Sequence, residues 1–182
     1  MKAEMSSVST GAADRDPIFI LGIAEHSGSN FLLNLLLLHP DCGAPDPIWE
    51  DYLVHYADLL ALYADSVFKR WKRIAGVETC LVDSLYQALG NGIVSSLASL
   101  TGERLLITKT PSVNNLGFFF KLFHRAHLLV LLRDERSVVE SSIVSFGGIY
   151  EIVMRKWADA ARTILHFEQA NKDSNSRYMI VR

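Results

Sequence analysis

The sequence of 182 residues has few features that would specify a metal site, a disulfide framework or a nucleic-acid-binding surface. Its two cysteines, Cys42 and Cys80, lack the spacing of a zinc site, and we expect both to be free thiols in a reducing compartment. The formal net charge is −2, whereas a general nucleic-acid-binding protein carries a basic excess. The composition therefore predicts neither a metal nor a nucleic-acid partner.

Long apolar runs and a secretion signal are also missing. Residues 1–16 are small and polar, without a basic start or an apolar stretch, and we expect them to be disordered. The strongest apolar runs, residues 31–38 and 128–132, are too short to span a bilayer and predict core elements. We therefore expect a cytoplasmic protein that does not interact with membranes.

Strand and helix patterns alternate over residues 17–182. Of all residues of the chain, 49% are apolar, which is enough for a hydrophobic core. No linker or internal repeat divides this stretch, so we expect one domain. Alternating strands and helices predict an α/β fold, with a mostly parallel sheet covered by helices on both sides. The predicted strands are residues 17–23, 104–109, 127–132 and 178–181. The predicted helices lie within residues 30–38, 49–74, 82–100 with an interruption at Gly90 and Gly92, 112–123, 134–146 and 150–168.

The first predicted strand is followed by a short polar loop and then a helix, the arrangement that binds phosphate groups. Gly28 permits close approach of the backbone to an anion, and the amides at the start of the helix have no intrahelical acceptor. The candidate anion-binding residues are His26, Ser27, Gly28, Ser29, Asn30 and Phe31. The alternative is a plain tight connection. No lysine follows Gly28 as in the ATPase motif GxxxxGK[ST], which disfavours hydrolysis of ATP or GTP.

A second candidate anion site follows the third long strand, which ends at Arg133. Serines spaced four residues apart predict a polar stripe on the next helix, and one guanidinium with a nearby serine could bind one phosphate. The serines are Ser137, Ser141 and Ser145, and the residues expected to face the core are Val138, Val139, Ile143 and Phe146. The alternative is a solvated serine face with Arg133 paired to a neighbouring acid. Both candidate sites follow strands of a parallel sheet, where such sheets bind ligands.

Together these segments resemble the sulfotransferase family. Residues 26–32 (HSGSNFL) resemble its phosphosulfate loop, and residues 38–41 (LHPD) resemble the end of its first helix. Residues 107–111 (ITKTP) are similar to the family's K-T-P or K-T-H strand end. Residues 131–141 (LLRDERSVVES) are similar to its 3′-phosphate motif, and residues 178–182 (YMIVR) to a later strand. Pro111 stands where cytosolic small-molecule sulfotransferases have a catalytic histidine, so the match is closer to the tyrosylprotein and bacterial branch.

The resemblance implies a P-loop-like fold and transfer of a sulfuryl group from 3′-phosphoadenosine 5′-phosphosulfate (PAPS) to a hydroxyl or amine acceptor. It implies that the loop binds the 5′-phosphosulfate and that Arg133 and Ser141 bind the 3′-phosphate. Three departures stand out: His26 replaces a more basic residue, Asn30 replaces a hydroxyl residue, and the family usually continues with a C-terminal part. We therefore expect the domain at residues 17–182 to be C-terminally incomplete.

Two residues are candidates for the chemistry. Lys109, at a strand tip, could stabilise charge that develops during transfer, the alternative being a surface lysine. Glu50 stands where the resemblance implies a catalytic base, with Asp46 and Asp51 as rivals and the first turn of a helix as the alternative location. Two other functions remain open: a PAPS- or PAP-binding pseudo-enzyme (PAP being the desulfated product), and a P-loop nucleotide kinase-like protein. The sequence specifies neither the acceptor nor the oligomeric state.

Overall fold

The computed structural model describes residues 15–76, 78–172 and 177–182. The segment 1–16, predicted to be disordered, lies outside the described residues except for its last two. Of these, Asp16 pairs with Arg125 at 2.8 Å between carboxylate and guanidinium. Within the described ranges, no helix is both long and apolar enough to cross a membrane.

The described residues form five parallel strands in one sheet. They are β1 (Ile18–Gly22), β2 (Cys42–Gly43), β3 (Leu105–Thr110), β4 (His127–Leu131) and β5 (Tyr178–Val181). Their order is β2-β3-β1-β4-β5, and Ile20 of the central strand β1 aligns with Lys109 of β3 and with Leu129 of β4. Because the strands are parallel, their carboxyl ends lie along one edge. The four long strands match the predicted ones, whereas the two-residue edge strand β2 lies outside the predicted elements.

Helices cover both faces of the sheet, which confirms the predicted α/β fold. They are α1 (Ser29–Leu36), α2 (Ala57–Ala75), α3 (Cys80–Ala98), α4 (Phe119–Leu122), α5 (Glu135–Phe146) and α6 (Tyr150–Asn171), with a 3₁₀ turn at Leu116–Phe118. Side chains of β1 alternate between two cores, as the two-residue period of a strand requires. Phe19 and Leu21 pack with residues of α2, α3, α4 and α6, whereas Ile20 packs with Leu33 of α1.

The helix predicted within residues 49–74 begins only at Ala57. Residues 49–56 instead run across the carboxyl end of β3, where the backbone N–H of Asp51 donates to the carbonyl of Lys109 at 3.1 Å. The N–H of Tyr52 donates to Oγ1 of Thr110 at 2.9 Å, and Tyr52 has a φ of 51°. These contacts with β3 replace the first turns of the predicted helix, and they bring Glu50 to the strand ends.

The helix predicted over residues 112–123 is also shorter. Residues 112–115 are not helical, and within this segment the hydroxyl of Ser112 accepts only the N–H of Asn114, at 3.2 Å. Its hydroxyl instead lies 2.7 Å from Nδ1 of His55. A contact with a residue 57 positions earlier along the chain therefore competes with helix capping here.

Helix α3 continues through Gly90 and Gly92, where the sequence predicted an interruption. A Cβ built on Gly90 would lie 1.8 Å from the carbonyl oxygen of Leu122, and one on Gly92 would meet nothing within 4 Å. Gly90 is thus a packing position at which α3 approaches the backbone of α4.

Phe146 of α5 and Leu165 of α6 are both largely exposed, although a core position was predicted for Phe146. On α5, Val138 and Val139 are buried as predicted, but Phe146 is 70% exposed. The helix ends at Phe146, so its last side chain extends past the core, over the carboxyl edge of the sheet. On α6, Leu165 is 52% exposed, whereas Ile164 and Phe167 are buried.

Candidate functional site

The loop between β1 and α1 leaves several backbone donors available. Gly28 adopts a left-handed conformation, with φ of 93° and ψ of 12°, and α1 begins at Ser29. The N–H groups of Ser29, Asn30 and Phe31 lie in the first turn, where a helix offers no acceptor and where its dipole favours negative charge. Ser27 differs from its predicted use, since its hydroxyl donates to the carbonyl of Ala24 at 2.5 Å.

Arg133 lies beside this loop. It follows β4, the neighbour of β1 in the sheet, and its Nη1 donates to the carbonyl oxygen of His26 at 2.7 Å. The carbonyl of Arg133 accepts the indole N–H of Trp157 at 3.3 Å. The two candidate anion sites are therefore on the same side of the sheet and in direct contact.

A cavity of about 410 Å³, here called the loop cavity, lies where these two elements meet. It is lined by Glu25, His26, Gly28, Ser29, Asn30, Phe31, Glu50, Pro111, Arg133 and Phe146. The ring of His26 lies 5.3 Å from that of Phe146, and Nε2 of His26 is buried without a hydrogen-bond partner among the described residues. Helix-terminal amides and a guanidinium are donors that fit a phosphorylated ligand.

Ser141 is not brought to this cavity. Ser141 lies half-buried on α5. Within the described part of the chain, none of the three serines predicted to form a polar stripe (Ser137, Ser141 and Ser145) lines the loop cavity. The N–H of Ser137 donates to the carboxylate of Asp134 at 2.9 Å, which caps the helix and lowers the pKa of Asp134. The buried serine of this helix is Ser142.

Glu50 and Lys109 contact each other at the carboxyl end of β3. Nζ of Lys109 donates to Oε1 of Glu50 at 2.8 Å, and it also lies 5.5 Å from the centroid of the Trp49 ring. The hydroxyl of Tyr52 donates to Oε2 of Glu50 at 2.9 Å. Burial, followed by the hydrogen bond and charge of Glu50, raises the pKa of Tyr52 to about 12, so its hydroxyl stays protonated at neutral pH.

The structure decides against both alternative locations for this pair. Lys109 is 1% exposed and is therefore not a surface lysine. Glu50 lies seven residues before the start of α2, outside the first turn of any helix, with 27% of its side chain exposed. Only Glu50 of the two lines the loop cavity.

Asp51, the first rival for the role of base, is engaged in hydrogen bonds that hold the fold together. Its carboxylate accepts hydrogen bonds of 2.7 Å from Oγ1 of Thr108 and of 2.7 Å from the N–H of Leu53. Desolvation by burial is the largest influence on its pKa and raises it, against the lowering effect of these hydrogen bonds. Asp51 thus fixes the irregular segment to β3. Asp46, the other rival, is exposed and does not line the loop cavity.

A second cavity, of about 550 Å³, borders the first and is here called the helix cavity, because α5 and α6 form much of its wall. Its lining includes Ile23, Ala24, Glu25, Tyr52, His55, Pro111, Ser112, Asn114, Val138, Ser142, Phe146, Gly147, Val153, Lys156, Trp157, Asp159, Ala160 and Thr163. No local signal in the sequence predicts this cavity. Its wall combines segments far apart in the chain, which no pattern within a single segment indicates.

Within the described ranges, no group of three or more His, Cys, Asp or Glu residues is arranged to bind a metal ion. The site consists instead of backbone amides, one arginine, and an ion pair joining a carboxylate to a buried ammonium.

Comparisons with known proteins point in one direction. The sulfotransferase family model matches residues 17–182. Among solved structures, the chain is similar to the sulfotransferase domain from the Synechococcus PCC 7002 olefin synthase, with a TM-score of 0.55 and 22% sequence identity. That match covers 92% of this chain and 66% of the other, so the chain spans slightly less than two thirds of that domain. No curated protein matches. Since the family model covers nearly all of the sequence, the chain belongs to the sulfotransferase family.

Proposed function

We propose that the chain is a PAPS-dependent sulfotransferase, which transfers a sulfuryl group from PAPS to a hydroxyl or amine acceptor. Membership of the family supports a transferase, and the loop cavity supports a phosphorylated donor. The observation that carries the proposal is the position of Arg133, which lines the same cavity as Gly28 and donates to the carbonyl of His26 at 2.7 Å.

In this proposal the loop residues His26, Ser27, Gly28, Ser29, Asn30 and Phe31 hold the 5′-phosphosulfate, mainly through the amides at the start of α1. Arg133 binds the 3′-phosphate. Ser141 is proposed as its partner from the family motif, and it would have to reach that phosphate from outside the loop cavity. The 3′-phosphate distinguishes PAPS and PAP from ADP, so the proposal predicts a preference between these nucleotides.

Glu50 and Lys109 are proposed to carry out the transfer. The acceptor oxygen or nitrogen bonds to sulfur, the bond from sulfur to the bridging phosphate oxygen breaks, and PAP leaves. Glu50 takes the acceptor proton, and Lys109 offsets the negative charge on the leaving oxygen. Their contact of 2.8 Å has a consequence: protonation of Glu50 removes its negative charge and releases the Lys109 ammonium to interact with the leaving phosphate.

A second candidate function is nucleotide binding without turnover. The observation that favours it is the engagement of both carboxylate oxygens of Glu50, one by Lys109 and one by Tyr52. A carboxylate held by two donors accepts a third proton-bearing group less readily. This pseudo-enzyme would bind PAP as the transferase does, and only turnover separates the two.

Isothermal titration calorimetry with PAP and with ADP tests the nucleotide assignment. We expect PAP to bind about tenfold or more tightly than ADP, since a charge-assisted contact contributes about 1.5–3 kcal/mol. Arg133→Ala should remove this difference. Arg136→Ala is the matched control, because Arg136 lies on the exposed side of α5 and does not line the loop cavity.

Equal affinities for PAP and ADP in the wild type would overturn the proposal. A magnesium-dependent preference for ATP over PAP would favour a nucleotide kinase-like protein instead. PAP binding without sulfation of any hydroxyl or amine acceptor would favour the pseudo-enzyme.

A further inference from the structure

We propose that the helix cavity binds the acceptor, and that this acceptor is a small, uncharged aromatic or alicyclic alcohol. The inference rests on the proposed function and adds to it the substrate class. It excludes both the side chain of a protein substrate and a charged amine as the preferred acceptor.

The position of the helix cavity fits an acceptor. It shares Glu25, Pro111 and Phe146 with the loop cavity, so a molecule in one would contact a molecule in the other at this common wall. Tyr52 lines the helix cavity, and its hydroxyl donates to Glu50, which lines the loop cavity. An acceptor hydroxyl beside Tyr52 would therefore lie at the side of the proposed base.

The size of the cavity and the composition of its wall favour a small molecule. Its volume of about 550 Å³ is within the range of roughly 300–1,000 Å³ that small-molecule sites occupy. Its wall comes from five separate parts of the chain: the β1–α1 loop, residues 52–55, residues 111–114, α5 and α6. Peptides are usually bound along a groove or a sheet edge, whereas five segments contribute to the wall of this cavity.

The wall also indicates the chemistry of the ligand body. Aromatic side chains of Tyr52, Phe146 and Trp157 line it, and aliphatic groups of Ile23, Val138, Val153 and Ala160 add to the apolar area. Flat or alicyclic hydrocarbon surfaces are complementary to such walls.

The charged side chains that line the cavity include both acidic and basic residues, so they do not favour a ligand of one charge. Glu25 and Asp159 are acidic and Lys156 is basic, and Asp159 already pairs with Arg162 at 2.6 Å. A ligand with a net charge would meet groups of both signs, so none of these residues provides the one-sided attraction that a charged acceptor needs.

A fixed polar pair can orient the acceptor hydroxyl. Nδ1 of His55 lies 2.7 Å from the hydroxyl of Ser112, and both residues line the cavity. The backbone of His55 is held in turn by Asn115, whose Nδ2 donates to the His55 carbonyl at 2.7 Å and to Oδ1 of Asp58 at 2.8 Å. Polar groups positioned this way in an apolar wall determine the orientation of a ligand.

The experiment is a titration with 2-naphthol in the presence of saturating PAP, followed by calorimetry and by tryptophan fluorescence. Ala160→Phe fills the cavity wall, and Ala170→Phe, at an exposed position near the end of the same helix, is its control. We expect Ala160→Phe to weaken 2-naphthol binding about tenfold or more, and Ala170→Phe to leave it unchanged. PAP affinity should be unchanged in both variants, which also shows that they are folded. If Ala160→Phe fails to bind PAP, Val153→Phe replaces it, with the same expected result.

Turnover with PAPS completes the test, with 2-naphthol, a tyrosine-containing peptide and a primary amine as acceptors. Sulfation of 2-naphthol in preference to the other two supports the inference. PAP binding together with a preference for the peptide or the amine, or with unchanged 2-naphthol binding in Ala160→Phe, overturns it and leaves the proposed function intact. Failure of the wild type to bind PAP overturns the proposed function, and the inference with it.

Discussion

The ammonium group of Lys109 lies 2.8 Å from Oε1 of Glu50, and only the glutamate of this pair reaches solvent. Lys109 belongs to β3, whereas Glu50 belongs to the irregular segment that crosses the end of that strand. The contact therefore joins two parts of the fold, and it also contains both residues proposed to carry out the transfer. Its two members do not contribute equally to stability.

Glu50→Gln should destabilise the fold more than Lys109→Met. The first change leaves a fully buried ammonium without its anion, which costs about 3 kcal/mol, whereas the second replaces the buried charge by an apolar chain of similar length and costs about 1 kcal/mol. Urea unfolding of the two variants at neutral pH measures the difference. Equal losses, or a larger loss for Lys109→Met, would mean that Lys109 is stabilised by other groups.

Alanine substitutions at the two glycines of α3 should change the free energy of unfolding in opposite directions. Gly90→Ala places a methyl group 1.8 Å from the carbonyl of Leu122, and overpacking of this kind costs about 1–3 kcal/mol. Gly92→Ala meets nothing within 4 Å and should stabilise the helix by about 0.5–1 kcal/mol. The free energy of unfolding of each variant, from denaturant titration, checks the pair. A stabilised Gly90→Ala would show that α3 and α4 are less closely packed.

Local patterns of the sequence were sufficient for the four long strands and for most helices. β1, β3, β4 and β5 are apolar runs, and the two anion-binding candidates follow from residues adjacent to strands. Residues 49–56 could not be predicted in this way, because a helical pattern of aromatic residues is overridden by hydrogen bonds to Lys109 and Thr110, more than 50 positions away. The same holds for the helix cavity, whose wall forms only when five distant segments meet.

Phe146 shows that helical periodicity alone does not predict which residues are buried. Its spacing from Val138 and Val139 predicted a core position, and both valines are buried. Helix α5 ends at Phe146, so no further turn of the helix holds its ring against the sheet, and the ring lies beside His26 instead. Helical periodicity does not specify where a helix stops, and here that endpoint places Phe146 in the wall of both cavities.

Gly28→Ala should weaken PAP binding and lower the free energy of unfolding by about 1–2 kcal/mol. A Cβ at this position meets nothing within 4 Å, but the φ of 93° is unfavourable for alanine, at a cost of about 1–2 kcal/mol. Relief of this strain moves the amides of the following turn, which are the proposed phosphate donors. Calorimetry with PAP and urea unfolding measure the two effects, with Gly102→Ala as a control at φ of 65° outside the loop cavity. Loss of stability in both variants with PAP affinity intact would separate Gly28 from ligand binding.

Asp51 gives a prediction about pH. Burial raises its pKa in the folded state above the ordinary value of 3.8, so the folded protein retains the Asp51 proton at pH values where the unfolded chain has lost it. Stability contributed at this position is therefore greatest below about pH 3.8 and is lost as the pH rises through the raised pKa. Asp51→Asn removes this titration and keeps an oxygen that can accept from Thr108 or Leu53.

The stability of Asp51→Asn relative to the wild type should consequently increase as the pH rises above about 4 and then level off. Urea unfolding of both proteins at a series of pH values from 4 to neutral provides the comparison, and the difference between the two curves isolates Asp51 from other titrating groups. A difference that decreases with rising pH would mean that the hydrogen bonds from Thr108 and Leu53 outweigh desolvation, and that Asp51 is a stabilised carboxylate.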